Sequence, residues 1–71
     1  MNPELNETKL SPAVLRIIRR AAVEAEASNS PEVGIPHILI GIVQEGRNVG
    51  AQLLAEKDVT VEQLRELNFK T

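Results

Sequence analysis

The sequence predicts an all-α fold, a small bundle of four short helices. Three observations lead to this prediction. Apolar residues recur at helical spacing in several segments, capping residues, prolines and glycines separate these segments, and no segment alternates apolar and polar residues as a strand does. A chain of 71 residues has room for one small core and therefore for one domain.

Composition limits the classes of function. The chain has no cysteine and a single aromatic residue, Phe69, so we expect an aliphatic core without disulfides, with Ile18, Leu39 and Leu54 among its members. The net charge of −2 gives no electrostatic footprint for nucleic acid or for an anionic membrane.

Two further features bear on localisation and on domain boundaries. The apolar run 38–43 is far shorter than the ~20 residues of a membrane span, and the polar start of the chain is not a signal peptide. Since cysteine is absent, we expect a reducing compartment and a cytoplasmic protein. We expect residues 1–9 to form a flexible leader and residues 10–71 to form the helical domain.

Helix 1 has the clearest start signal. Ser11 is placed to cap the first free amides, and Pro12 suits the first helical position because its nitrogen carries no hydrogen. The segment Ser28-Asn29-Ser30-Pro31 is expected to end the helix, since Pro31 disfavours the helical conformation at the residue before it. The helical spacing predicts one buried face, made of Val14, Ile17, Ile18, Ala21, Ala22 and Ala25.

Helix 2 is predicted from about Pro36 to Glu45, with Ile35 at the cap position and Gly46 as the left-handed residue after its end. Its apolar residues cover more than half of the circumference, which predicts that the helix is central or covered by another molecule. Gly41 costs roughly 1 kcal/mol of helix propensity relative to alanine, and this indicates the close approach of a neighbouring helix.

Helices 3 and 4 are shorter. Asn48 is a good cap for helix 3, and Thr60 and Gln63 have the spacing of a capping box at the start of helix 4. The residues expected to face the core are Val49, Leu53 and Leu54 in helix 3, and Val61, Leu64 and Leu67 in helix 4.

The sequence offers little for catalysis or for cofactor binding. His37 is the only histidine and Asp58 the only aspartate, so neither a His/His metal pair nor a plausibly spaced Ser-His-Asp triad can be assembled. The loop 46–50 has two glycines before a helix but lacks the Lys-Ser/Thr of a phosphate loop, and a plain helix connector is favoured. We expect no enzymatic activity, no metal and no cofactor, and we expect His37 to brace the loop before helix 2.

Three arginines of helix 1, Arg16, Arg19 and Arg20, have three interpretations. They form a solvated face, helped by Glu24 four residues after Arg20, or a docking patch for an acidic partner protein, or a DNA-reading helix. The last would make the chain a small helical DNA-binding regulator, which is our alternative function. The acidic balance of the chain and the lack of a basic base-reading helix count against it.

The order of motifs resembles the repeat of the N-terminal domain of Clp-type AAA+ unfoldases. The resemblance covers about two-thirds of the chain. The matching segments are Leu10-Ser11-Pro12, Gly34-Ile35-Pro36-His37, Ile38-Leu39-Ile40-Gly41-Ile42, Glu45-Gly46 and Val49-Gly50-Ala51-Gln52-Leu53-Leu54.

The resemblance implies a non-catalytic module for protein–protein interaction, either an adaptor or a substrate-recognition domain of a Clp-type unfoldase or protease. Some family members use a Thr-Glu pair to bind phosphorylated arginine. This sequence has Ile35 and Pro36 in those positions, and neither side chain accepts guanidinium hydrogen bonds, so that activity is not carried over.

Family N-domains usually contain two such repeats, packed about a pseudo-twofold axis, whereas this chain has one. A lone repeat is expected to leave apolar surface uncovered around helix 2, so we predict a homodimer. The competing interpretation is a monomer in which helix 4 folds over helix 2. The residues predicted to contact a protein partner are Arg16, Arg19, Arg20, Ile35 and Ile40.

Overall fold

A computed structural model describes residues 9–67. The chain forms four α-helices within this range, and no strand occurs there, which confirms the all-α prediction. The elements are α1 (Pro12–Ala27), α2 (Ile35–Glu45), α3 (Val49–Glu56) and α4 (Val61–Leu67). Of the expected leader, residues 1–8 lie outside the described part, as does Phe69.

The helix starts follow the sequence signals. The Ser11 hydroxyl accepts a hydrogen bond from the Val14 amide at 3.1 Å, and Pro12 is the first residue of α1. At α4, the Thr60 amide donates to the Gln63 side chain at 3.0 Å and the Gln63 amide donates to the Thr60 hydroxyl at 3.2 Å. Both capping predictions are therefore confirmed.

The boundaries of α1 and α2 agree with expectation except at the start of α2. Helix α1 ends at Ala27, directly before the expected segment, and Ser28 is its cap. Asn29 takes a left-handed conformation (φ 59°), and the Ser30 amide donates to the Ala25 carbonyl at 2.9 Å. Helix α2 is capped by Gly34 rather than by Ile35. Gly46 ends α2 with φ 78°, as expected.

Helix α2 is the central element, since it packs against each of the other three helices. Its closest neighbour is α1. A Cβ atom at Gly41 would lie 2.7 Å from the Ile17 carbonyl oxygen and 3.2 Å from the Ala21 nitrogen. The backbones of the two helices therefore meet at this glycine, which confirms the close approach expected there.

The core is built largely from small residues. Ile18, expected in the core, is 45% exposed, and Leu39 and Leu54 are only half-buried. The expectation for Ile18 is wrong because Ile17 and Ala21 face α2 across the crossing, and Ile18 lies ~100° round the helix from Ile17. Val14 and Ala22 are exposed as well. The buried apolar residues are Ala21, Ala25, Ile40, Ala51 and Leu64.

Helices α3 and α4 also face the core differently from the prediction. In α3 the buried residue is Ala51, whereas Val49 and Leu53 are 70% and 57% exposed. They lie two residues to either side of Ala51, and a separation of ~200° points them away from the core. In α4, Leu64 is buried and packs with α2, but Leu67 is exposed. None of the helices described is long and apolar enough to cross a membrane.

Candidate functional site

His37 joins the end of α1 to the start of α2. The imidazole is 1% exposed, and its Nδ1 accepts a hydrogen bond from the Gly34 amide at 2.8 Å. This bond assigns the ring hydrogen to Nε2, which lies 3.2 Å from the Ser30 hydroxyl and 3.4 Å from the Ser28 hydroxyl. Both ring nitrogens are thus engaged in holding the connection, and the bracing role predicted for His37 is confirmed.

An ion pair fastens α4 to α1. The carboxylate of Glu24, a buried residue of α1, accepts hydrogen bonds from Arg65 Nε at 2.9 Å and Nη2 at 3.1 Å. This forked pairing is geometrically specific. Glu24 is therefore held by Arg65, so the sequence-based pairing of Glu24 with Arg20 is wrong.

A second carboxylate, that of Glu45, organises the end of α2. Its Oε1 accepts from the Asn48 side chain at 2.7 Å and from the Arg47 amide at 3.0 Å. Its Oε2 lies 3.0 Å from both Nε and Nη2 of Arg16. The Arg47 amide of the loop after Gly46 thus binds the chain's own Glu45 carboxylate. This confirms the interpretation of the loop as a plain connector between helices.

Both carboxyl groups have a lowered pKa. For Glu24 the hydrogen bonds from Arg65 are the main cause, and burial opposes them. For Glu45 the hydrogen bond from Asn48 is the largest cause, burial again opposes it, and hydrogen bonds from Arg16 and from the Arg47 amide add to the lowering. Each carboxylate is consequently stabilised in its charged form by the folded structure.

The structure brings together only some of the predicted contact residues. Arg16 and Arg20 line a surface pocket of about 270 Å³ together with Glu45 and Arg47. We name this the arginine pocket. Arg19 is exposed but lies outside its lining.

The two isoleucines predicted as contact residues have opposite environments. Ile35, the first residue of α2, is 68% exposed and available to a partner, whereas Ile40 is 0% exposed. The prediction for Ile40 is therefore wrong, because α1, α3 and α4 together cover the helix that carries it.

Sequence reasoning missed Glu45 and Arg47 as members of a site. A signal was present, since a carboxylate just before a left-handed glycine lies close to the free amides of the following loop. The pairing of Glu24 with Arg65 had no comparable signal, because 41 positions separate the two residues.

The geometry defines a small helical repeat with a charged pocket and exposed apolar side chains. Within residues 9–67, no group of three histidine, cysteine or acidic residues could hold a metal ion. The family model of the Clp repeat N-terminal domain matches residues 2–67, nearly the whole sequence. The chain belongs to this family, which associates it with Clp-type AAA+ proteins and places it among non-catalytic N-terminal domains. No curated protein and no solved structure matches the chain.

The lowered pKa values give a testable pH dependence. A carboxyl group with a lowered pKa contributes stability above its ordinary pKa, and that contribution is lost as the pH falls through the lowered value. Glu24→Gln and Glu45→Gln should each unfold at lower urea concentration than the parent at about pH 7, and should lose less stability than the parent between about pH 7 and about pH 3.

Glu26→Gln is the matched control, because Glu26 is an exposed glutamate of the same helix as Glu24. It should keep the parent's urea midpoint at about pH 7. Equal midpoints for Glu45→Gln and the parent at both pH values would show that the Glu45 network does not stabilise the fold.

Proposed function

We propose that this chain is a non-catalytic protein–protein interaction module that acts with a Clp-type AAA+ unfoldase or protease. It serves either as an adaptor or as the domain that recognises substrates. The observation that carries the proposal is the family match over residues 2–67. We propose a cytoplasmic setting, in keeping with the absence of cysteine.

The surface supports a role in protein binding. Ile35 is a large aliphatic side chain exposed at the start of α2, and Arg19 is exposed on α1. Arginine is enriched at protein–protein interfaces, and an exposed aliphatic side chain gains free energy when a partner removes it from water. We propose Arg16, Arg19, Arg20 and Ile35 as contact residues.

The proposal concerns a folded protein partner rather than phosphorylated arginine. Ile35 and Pro36 occupy the first two positions of α2, where some relatives are expected to place a threonine and a glutamate. An aliphatic side chain and a proline ring cannot accept the hydrogen bonds of a guanidinium group. The exposed Ile35 instead favours an apolar contact.

Binding to the Clp-type unfoldase of the same genome tests this function. We expect the purified chain to bind the purified unfoldase in isothermal titration calorimetry, and Ile35→Glu to weaken that binding by about tenfold or more, because it places a charge in an apolar contact. Leu67→Glu, a matched change of an exposed residue on α4, should bind as the parent does. No detectable binding of the unfoldase, or an equal loss of affinity in both variants, would contradict the proposal.

We also propose that the chain pairs with a second copy. The apolar surface expected around α2 is covered within the monomer, because α4 lies against α2 and Ile40 is buried. Apolar surface nevertheless remains on α1, where Val14 and Ile18 are exposed one turn apart, and on α3, where Val49 is exposed. A twofold contact that covers the α1 face would reproduce the pairing of repeats expected of relatives.

Sedimentation equilibrium tests the dimer. We expect about twice the monomer mass of 7.8 kDa, in the range of about 10 to 100 μM, and a monomer for Ile18→Glu because the charge would be buried at the twofold contact. Val23→Glu is the matched control, since Val23 is exposed on another face of α1, and it should remain a dimer. A mass of 7.8 kDa for the parent throughout this range would contradict the dimer.

A further inference from the structure

We propose that the arginine pocket binds an acidic peptide segment of a partner protein through carboxylate groups. The inference rests on the proposed function, because it gives the chemistry of the partner that a recognition module would hold. It differs from the sequence-based docking patch in its members. The pocket replaces Arg19 with Arg47 and includes a carboxylate of the chain itself, Glu45.

Two separate elements build the pocket. Arg16 and Arg20 lie one turn apart on the same side of α1, and Arg47 follows the left-handed residue that ends α2. The pocket volume is about 270 Å³, whereas a water molecule occupies about 30 Å³ in the liquid. The pocket therefore has room for more than one carboxylate-sized group.

Glu45 fixes the pocket without neutralising it. Its side chain is 3% exposed, and its two oxygens already accept bonds from Arg16, from the Arg47 amide and from Asn48. These bonds hold Arg16 on one side and set the position of the Arg47 backbone on the other. The ordering of these groups before binding reduces the entropic cost of taking a ligand.

The pocket carries an excess of positive charge. Three arginines and one glutamate line it, and the side chains of Arg20 and Arg47 form no salt bridge with any carboxylate between residues 9 and 67. Both arginines are exposed. The pocket is thus locally basic in a chain whose net charge is −2, and it attracts an anion.

The shape and the charge favour carboxylates of a peptide over nucleic acid. A guanidinium group matches a carboxylate with two parallel hydrogen bonds. Duplex binding needs many phosphate contacts along an extended surface, whereas this pocket offers three arginines and contains the Glu45 carboxylate. An acidic segment that places adjacent carboxylates on Arg20 and Arg47 fits these limits.

Titration of the full chain with the peptide hexaglutamate tests the pocket. In nuclear magnetic resonance spectra at low salt, we expect shifts at the Nε–H groups of Arg16, Arg20 and Arg47. Combined Arg20→Gln and Arg47→Gln should weaken binding by about tenfold or more, because two charge-assisted contacts are lost. Lys57→Gln removes one exposed positive charge outside the pocket lining, and it should bind hexaglutamate within about twofold of the parent.

Several results would overturn the proposal. They are the absence of shifts with hexaglutamate, an equal effect of Lys57→Gln and Arg20→Gln, and tighter binding of inorganic phosphate or of duplex DNA than of hexaglutamate. Binding of hexaglutamate only to a variant that carries both Glu4→Gln and Glu7→Gln would show that the chain's own amino-terminal carboxylates occupy the pocket. In that case the proposal would also be overturned.

The outcome is independent of the test for the proposed function. Hexaglutamate binding by a chain that does not bind the unfoldase would support the pocket and contradict the function. Unfoldase binding by a chain that does not bind hexaglutamate would do the reverse. Spectra of each variant also report whether it is folded, so a loss of binding through unfolding is recognised directly.

Discussion

The close crossing of α1 and α2 at Gly41 is the constraint on which the remaining structure depends. The Ile17 carbonyl and the Ala21 amide lie so near Gly41 that a Cβ atom on this residue would clash with them. Such an approach is possible only because Gly41 has no side chain. Since α1 and α2 approach so closely, small residues fill most of the core between residues 9 and 67, which consists of Ala21, Ala25 and Ala51 with Ile40 and Leu64. The same crossing leaves Ile18 on the surface.

Polar contacts secure the elements around this centre. Glu24 and Arg65 connect α4 to α1, and Glu45 connects α2 to Arg16 and to the start of α3. A chain that buries little apolar surface gains from such geometrically specific pairs, although an exposed partner limits the free energy that each contributes. Glu45 has both a structural role and a proposed functional role. The hydrogen bonds of its carboxylate connect the end of α2 to its neighbours, and they also position residues of the arginine pocket.

Local sequence signals were sufficient to predict the helices, but they were not sufficient to predict which face of each helix is buried. The capping side chains bond to amides only three residues further along the chain, so the sequence identifies their roles directly. These residues are Ser11, Asn48 and Thr60. Whether Ile18 or Leu53 faces inward depends on how another helix crosses, and the apolar pattern allowed more than one answer. The arginine pocket was half predicted, since Arg16 and Arg20 share a helix while Arg47 joins them only through the fold.

Urea unfolding of Gly41→Ala tests the central crossing most directly. Helix propensity alone predicts that alanine stabilises α2 by roughly 1 kcal/mol. We predict the opposite sign, a loss of about 1 to 3 kcal/mol, because the new methyl group meets backbone atoms that cannot move without separating the helices. Gly50→Ala should lose less than this, since its Cβ meets side-chain atoms rather than backbone, the Ile42 Cγ2 methyl at 2.9 Å and Asn48 Oδ1 at 3.1 Å. An unchanged or increased stability of Gly41→Ala would contradict the account.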